Sequence, residues 1–291
     1  MRIAVTGAGG YIGSRLVRFL KNDFEVVPVV HSKKGLDNER IADVTDFESL
    51  NNALKNCDYV VHLAAISRPG ACEEDKDLAY QINVQGTKNV LEACKENRVK
   101  GFLLASTIYV YGKSEKVKTE EDEPNPENWY AETKLMAEKT CEKYRKFFPV
   151  TILRFSFIYG PGQEGSVASD FIEKIRANNE LEMLSSKEQV LGLLNVEDAL
   201  KAIKKSIELK PDTVLNISPE KKTSLEELAK TIMKLLDKKV PVKDVPGKKA
   251  SILASPGKAR RILGWKAEKS LEHGIREIIS GVQHLRSQDS L

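Results

Sequence analysis

The stretch Ile3-Ala4-Val5-Thr6-Gly7-Ala8-Gly9-Gly10-Tyr11-Ile12-Gly13 lies almost at the start of the chain and decides how the rest is read. Ile3 to Thr6 is a short β-prone run. Gly7, Gly10 and Gly13 follow it at a spacing of three, and Tyr11 begins an amphipathic stretch that reaches Lys21. A strand that turns through glycines into a helix exposes bare backbone N–H groups at the positive end of a helix dipole. That arrangement suits the pyrophosphate of a dinucleotide, because side chains would block its approach. Gly13 also lets the helix lie close on the strand.

Outward from this unit, β-branched runs alternate with amphipathic ones. Ile3 to Thr6, Glu25 to Val30, Tyr59 to Leu63, Phe102 to Ser106 and Thr151 to Phe155 read as strands. Tyr11 to Lys21, Phe47 to Lys55, Leu78 to Asn97 and Tyr130 to Phe147 read as helices. The alternation predicts parallel strands with crossover helices, and near-continuous apolar strands such as Tyr59 to Ala65 predict a sheet covered on both faces. The fold class is therefore α/β, a Rossmann-type doubly wound parallel sheet over residues 1–160. Pro28 is a misfit in its strand, since it removes a ladder donor.

Beyond residue 160 the punctuation thickens, with Gly160-Pro161-Gly162-Gln163-Glu164-Gly165 and prolines at 211, 219, 241 and 256. This predicts a smaller C-terminal α/β subdomain over residues 161–291 that binds substrate, with some segments returning to the first sheet. Ser224 with Glu227 gives a capping-box start for one helix, and Ser270 opens another that ends near Leu285. Residues 287–291 read as a frayed tail.

Composition narrows the function. Among 291 residues, 41% are hydrophobic and none of the apolar runs is long enough for a membrane span. The formal charge of +4 comes from lysines interleaved with glutamates, so neither a nucleic-acid surface nor a membrane face is expected. No signal-peptide pattern precedes the glycines, and the expected location is the cytoplasm. Four cysteines without paired spacing read as reduced packing residues, and the scattered histidines predict no metal site.

Two further segments carry chemistry. An acidic residue at the end of the second strand would select NAD through the ribose hydroxyl, but here the residues are His31, Ser32, Lys33 and Lys34. Such donors and positive charge favour the 2′-phosphate of NADP, leaving NAD or NADP as the cofactor. Asp43 is a candidate for the adenine edge or for a helix N-cap. Later, Thr107 stands at a strand end and Tyr130 and Lys134 stand four apart on a helix. That spacing puts the ammonium near the phenol, where it would lower the tyrosine pKa for proton exchange with a substrate hydroxyl.

These segments, in order, are Thr6 to Gly13, Ala42 to Asp46, Val61 to Ala65, Ile82 to Cys94, Ser106 to Gly112, Tyr130 to Lys134, Leu153 to Gln163, Asn195 to Leu200 and Lys258 to Trp265. Together they resemble the extended short-chain dehydrogenase/reductases, the NAD-dependent epimerase/dehydratase family, over nearly the whole chain. The resemblance implies that Thr107, Tyr130 and Lys134 are catalytic, with Lys134 also gripping the nicotinamide ribose. It further implies that Val44, Leu63, Ala64 and Ala65 line the cofactor beside the glycine loop, and that Asn83 supports the site. It implies a nucleotide-activated sugar as substrate and a homodimer built from the helices Leu78 to Asn97 and Tyr130 to Phe147.

This chain departs from its relatives at three places. Phe157 replaces an asparagine that commonly meets the sugar-nucleotide phosphates, and Leu191 replaces an arginine with the same task. Ile108 and Tyr109 replace the Asp-Glu pair of the dehydratases, which argues against dehydration. What remains is epimerisation by hydride transfer at a sugar carbon, expected to be C4, through a keto intermediate. The alternatives are an NADPH-dependent ketone reductase and a non-catalytic NADP sensor.

Overall fold

The computed structural model of the protein describes residues 1–184, 189–245 and 251–288. At its centre is a sheet of seven strands, all parallel. Across it the order is Val214–Ile217, Val150–Phe155, Phe102–Thr107, Tyr59–His62, Arg2–Thr6, Glu25–Val30 and Arg40–Ile41. The direction of chain progress reverses beside the first strand, so the glycine turn opens at the crevice between two halves of the sheet.

Alternate residues of each strand feed two separate cores, which is what a sheet covered on both faces demands. Ile3, Val5, Tyr59, Val61 and Leu103 join Leu16, Leu200, Ile203 and Trp265 on one side. Ala4, Val60, Phe102 and Leu104 join Leu50, Val90, Leu91 and Cys141 on the other. Pro28 is accommodated by the edge. Val29 and Val30 carbonyls accept from Ala8 and Ala42 on opposite sides, so Pro28 turns its missing donor toward the two-residue edge strand, before the pairing of Val29 with Arg40 begins.

The predicted strands and helices are found with shifted ends. The helix expected over Tyr130 to Phe147 spans Trp129–Glu142, with Asn128 capping it by accepting from the Ala131 N–H. The stretch expected as one helix over Leu78 to Asn97 is Lys76–Tyr80, a π-helical turn Gln81–Gln85, and Gly86–Glu96. Periodicity does not register one extra residue in a turn, yet such turns gather at functional sites, and this one carries Asn83.

A third core lies outside the sheet, formed among others by Phe171, Ile172, Leu191, Leu193, Leu228, Ile232 and Ile275. Around it are three two-stranded sheets pairing Leu193–Asn195 with Phe157–Tyr159, Thr223–Ser224 with Val190–Leu191, and Val242–Val245 with Leu181–Leu184. The chain crosses between the two regions. The helix Val196–Leu209, the strand Val214–Ile217 and Trp265 all pack with the seven-stranded sheet. Ser224 caps the helix Leu225–Leu236 as expected, while the Glu227 carboxylate takes Lys221 instead of closing the box. The last helix, Leu271–Gln288, includes Ser287 and Gln288, where fraying was expected; residues 289–291 lie outside the described residues.

Candidate active site

The glycine turn is built for close approach. Gly7 has φ +69°, and a Cβ on it would fall 2.7 Å from the Ala64 nitrogen; on Gly13 a Cβ would meet the Gly7 carbonyl at 2.2 Å. Side chains cannot be placed there without moving backbone, so the glycines keep the turn tight and its N–H groups bare, as an anion lying over it would need. The helix Tyr11–Leu20 begins at Gly10 with no side-chain cap, leaving its first N–H groups available.

The turn forms one wall of a cavity of about 730 Å³. Gly7, Gly10, Tyr11, Ile12, Gly13, Leu63 and Ala65 line it on one side, and Thr107, Tyr109, Tyr130, Lys134, Phe157 and Leu191 line it further in. Every residue expected to be catalytic therefore faces the same space as the glycines. Thr107 ends the strand Phe102–Thr107, and its hydroxyl accepts from the Tyr109 N–H at 3.2 Å.

Burial governs the titration of this pair. It pushes Lys134 down to about 8, against the opposing pull of the Glu138 carboxylate one turn along. It drives the Tyr130 phenol well above its ordinary range, with the Thr107 hydroxyl beside it pulling the other way. The expected lowering of the tyrosine is thus reversed. Enclosure is the largest influence on the phenol, Thr107 is the one group that opposes it, and Lys134, though on the same helical face, does not offset it.

Asn83 is fully buried and does not line the cavity. Its amide accepts from the Ile66 N–H at 2.8 Å and donates to the Ile66 carbonyl and to the Thr133 hydroxyl, both at 3.0 Å. The Thr133 hydroxyl in turn donates to the Tyr130 carbonyl at 2.8 Å. Asn83 is therefore a brace between the loop after Tyr59–His62 and the helix that carries Tyr130 and Lys134. The brace continues backwards, since the Thr87 hydroxyl donates to the Asn83 carbonyl at 2.6 Å and lies 3.0 Å from His62 Nε2. With its proton already given to that carbonyl, Thr87 must accept from Nε2–H, and His62 Nδ1 then accepts from Thr6 at 2.7 Å. His62 is held neutral, its pKa lowered by burial and by the Lys134 charge to about 3.

A second buried network lies behind the helix. Glu138 and Arg154 meet at 2.6 Å with both side chains almost wholly enclosed. Ser106 donates to Glu138, and Arg154 donates to the Tyr111 hydroxyl at 2.8 Å. That hydroxyl donates to Asn216 at 2.9 Å. Sequence reading missed this pair because a glutamate and an arginine in a lysine-rich chain resemble surface charges. The available signal was a charged residue, Arg154, inside the apolar run Val150 to Phe155.

The end of the second strand lies beside the glycine turn, with the Lys34 side chain 3.0 Å from where a Cβ on Gly9 would stand. His31, Ser32 and Lys33 are exposed and do not line the cavity. His31 Nδ1 lies 3.4 Å from an Asp43 oxygen, and Asp43 accepts from the N–H and hydroxyl of Thr45, both at 2.8 Å. The helix N-cap considered for Asp43 falls to Asp46 instead. Val44 packs on Gly86, where a Cβ would come within 2.9 Å of it. Residues unflagged by the sequence also line the cavity, including Ser67, Ser156, Gln163, Ser166 and Met183. Buried polar atoms of Tyr11, Ser156 and Gln163 have no hydrogen-bond partner. Among the described residues there is no cluster able to hold a metal and no helix long and apolar enough to cross a membrane.

Residues 3–218 match the NAD dependent epimerase/dehydratase family, and the chain belongs to it. Among curated relatives, a putative UDP-glucose 4-epimerase of Methanocaldococcus jannaschii is 28% identical over 97% of this chain and 98% of its own length. Among solved structures, the UDP-glucose 4-epimerase of Thermotoga maritima with UDP-glucose superposes with a TM-score of 0.89 at 27% identity, covering 98% of this chain and 100% of that one. The UDP-glucuronic acid 4-epimerase of Bacillus cereus, with UDP-glucuronic acid and NAD, gives 0.88 at 26% identity with the same coverage. The protein is an NAD-dependent enzyme of the epimerase class, on a Rossmann-type α/β fold.

Proposed function

We propose that the protein is a nucleotide-sugar 4-epimerase that keeps NAD bound through its cycle. The observation that carries this is the shared cavity, in which an uncapped, glycine-lined helix start faces Thr107, Tyr130 and Lys134 across one space. Gly7, Gly10, Tyr11, Ile12 and Gly13 would hold the pyrophosphate, with Leu63, Ala64 and Ala65 along the cofactor. NAD held there would supply an acceptor and then a donor of hydride for one sugar carbon, so that the hydride returns on the other face of the sugar. Tyr130 takes the proton of the hydroxyl on that carbon and gives it back. Thr107 orients the same oxygen, and the Lys134 ammonium favours the phenolate that Tyr130 must be in order to take that proton.

At the second-strand end, charge supports NAD over NADP. Glu39 accepts from the N–H groups of Lys34, Gly35 and Leu36 at 3.0–3.2 Å, and Asp43 faces His31. Two carboxylates thus offset the basic residues that a 2′-phosphate would use. The C-terminal region around Leu191, Leu193 and Met183 supplies the substrate side, and we take residues 161–291 as mainly that subdomain. The four buried, unpaired cysteines accord with a cytoplasmic enzyme. Exposed Leu78, at 46%, supports pairing of two chains through the helices at 76–96 and 129–142.

The test is to supply NAD with UDP-, GDP- and dTDP-hexoses and follow epimer formation by NMR. Tyr130→Phe should lower the rate by roughly 10²–10⁴-fold while the thermal midpoint holds. Light scattering on the same preparation should give twice the chain mass of 32.5 kDa. If no sugar nucleotide is epimerised while simple ketones consume NADPH, the reductase reading takes its place.

A further inference from the structure

The interior wall next to Tyr130 is aromatic. The Tyr109 ring meets the Tyr130 ring edge-on with centroids 6.1 Å apart, and meets Phe157 in the same manner at 5.5 Å. All three line the cavity. Burial raises the pKa of the Tyr109 phenol. Among the described residues its hydroxyl makes no hydrogen bond, so the wall offers ring surface and one neutral phenol. The same residues exclude a cation: Lys134 is the one basic side chain among the described lining residues, and Glu182 is acidic.

We infer that Tyr109 and Phe157 set substrate choice, favouring sugars that are neutral at the carbons flanking the reacting one and rejecting uronates. The inference rests on the epimerase reading. Epimerisation requires the ring to present both faces to the same hydride donor, so it must turn between the two halves. In turning, the substituents on either side of the reacting carbon pass the wall beside Tyr130. A hydroxymethyl or methyl group gains contact with two rings there. A carboxylate would lose its water there, and the one cation among the described lining residues, Lys134, is already committed beside Tyr130; burying a charge against neutral groups is costly.

The experiment measures affinity and turnover separately. Calorimetry gives the dissociation constants of UDP-glucose and UDP-glucuronic acid for the NAD-loaded protein, and NMR gives epimer formation from each. The wild type should favour UDP-glucose by at least roughly 100-fold in affinity. Tyr109→Ser, and Tyr109→Ser with Phe157→Asn, should narrow that ratio by at least about tenfold as the uronate gains water and hydrogen bonds. The thermal midpoint identifies any variant that has failed to fold, and Phe157→Asn alone then serves as the second probe. Equal affinity of the wild type for the two ligands overturns the inference, as does an unchanged ratio in folded variants. Discrimination in binding without epimer formation from either sugar sinks the epimerase reading and leaves the selective wall standing.

Discussion

Two sides of one cavity are built on opposite principles. Behind the Tyr130 helix, buried polar groups form connected sets: Thr6, His62, Thr87, Asn83 and Thr133 in one chain, and Ser106, Glu138, Arg154, Tyr111 and Asn216 in the other, where the Asn216 amide nitrogen at the far end is the one atom left without a partner. On the facing side, Ser156 and Gln163 have buried oxygens without partners, and aromatic rings cover much of the rest. Satisfied networks in a low-dielectric interior fix geometry, whereas unpartnered groups on a cavity wall are available to a ligand. The first side positions reacting groups and the second is shaped for what they react with.

Breaking the braced side should cost most where charge is left alone. Glu138→Gln abandons the Arg154 guanidinium in the interior, and urea denaturation should show a loss of about 3–5 kcal/mol. Adding Arg154→Met should recover part of it, since a pair removed together leaves no uncompensated charge. A loss under 1 kcal/mol would mean that the pair is wet and the brace is not what holds the helix.

The next effect is a pH dependence. His62 stays neutral in the fold down to about 3, while in the unfolded chain it takes a proton near 6.5. Below that value the unfolded state binds more protons, so stability falls with falling pH from 6.5 toward 3. Between pH 7.5 and 5 this group should remove on the order of 2 kcal/mol, a slope that His62→Gln abolishes. Parallel slopes for the two proteins would show that His62 is not held as described. The smallest effect belongs to the facing side. Ser156→Ala deletes an oxygen that bonds nothing, so the thermal midpoint should hold or rise, a change within about 0.5 kcal/mol. A clear loss of stability there would erase the contrast between the two sides.

Much of this was legible in local pattern. The strand-glycine-helix unit reports its function because the positive φ at Gly7 and the crowding backbone at Gly13 leave no room for a side chain. The Tyr130 and Lys134 pair follows from helical spacing, and five strands of the seven-stranded sheet follow from their apolar runs. Other features were hidden because their meaning depends on residues far apart in the chain. Asn83 looked like a helix residue near the site, but its role comes from a π turn and from Ile66 and Thr133, 17 and 50 positions away. Tyr109 and Phe157 stood out only as departures from a pattern, until their rings were seen to meet beside Tyr130.

The sequence by itself determined that a dinucleotide-binding sheet forms and that a hydroxyl, a phenol and an amine belong to its chemistry, since spacing along one strand or helix is a local property. Only the tertiary structure decided how those groups titrate and what stands opposite them. Burial reversed the expected direction for Tyr130 and brought Lys134 to about 8, because desolvation depends on every element packed around a group and not on its neighbours in sequence.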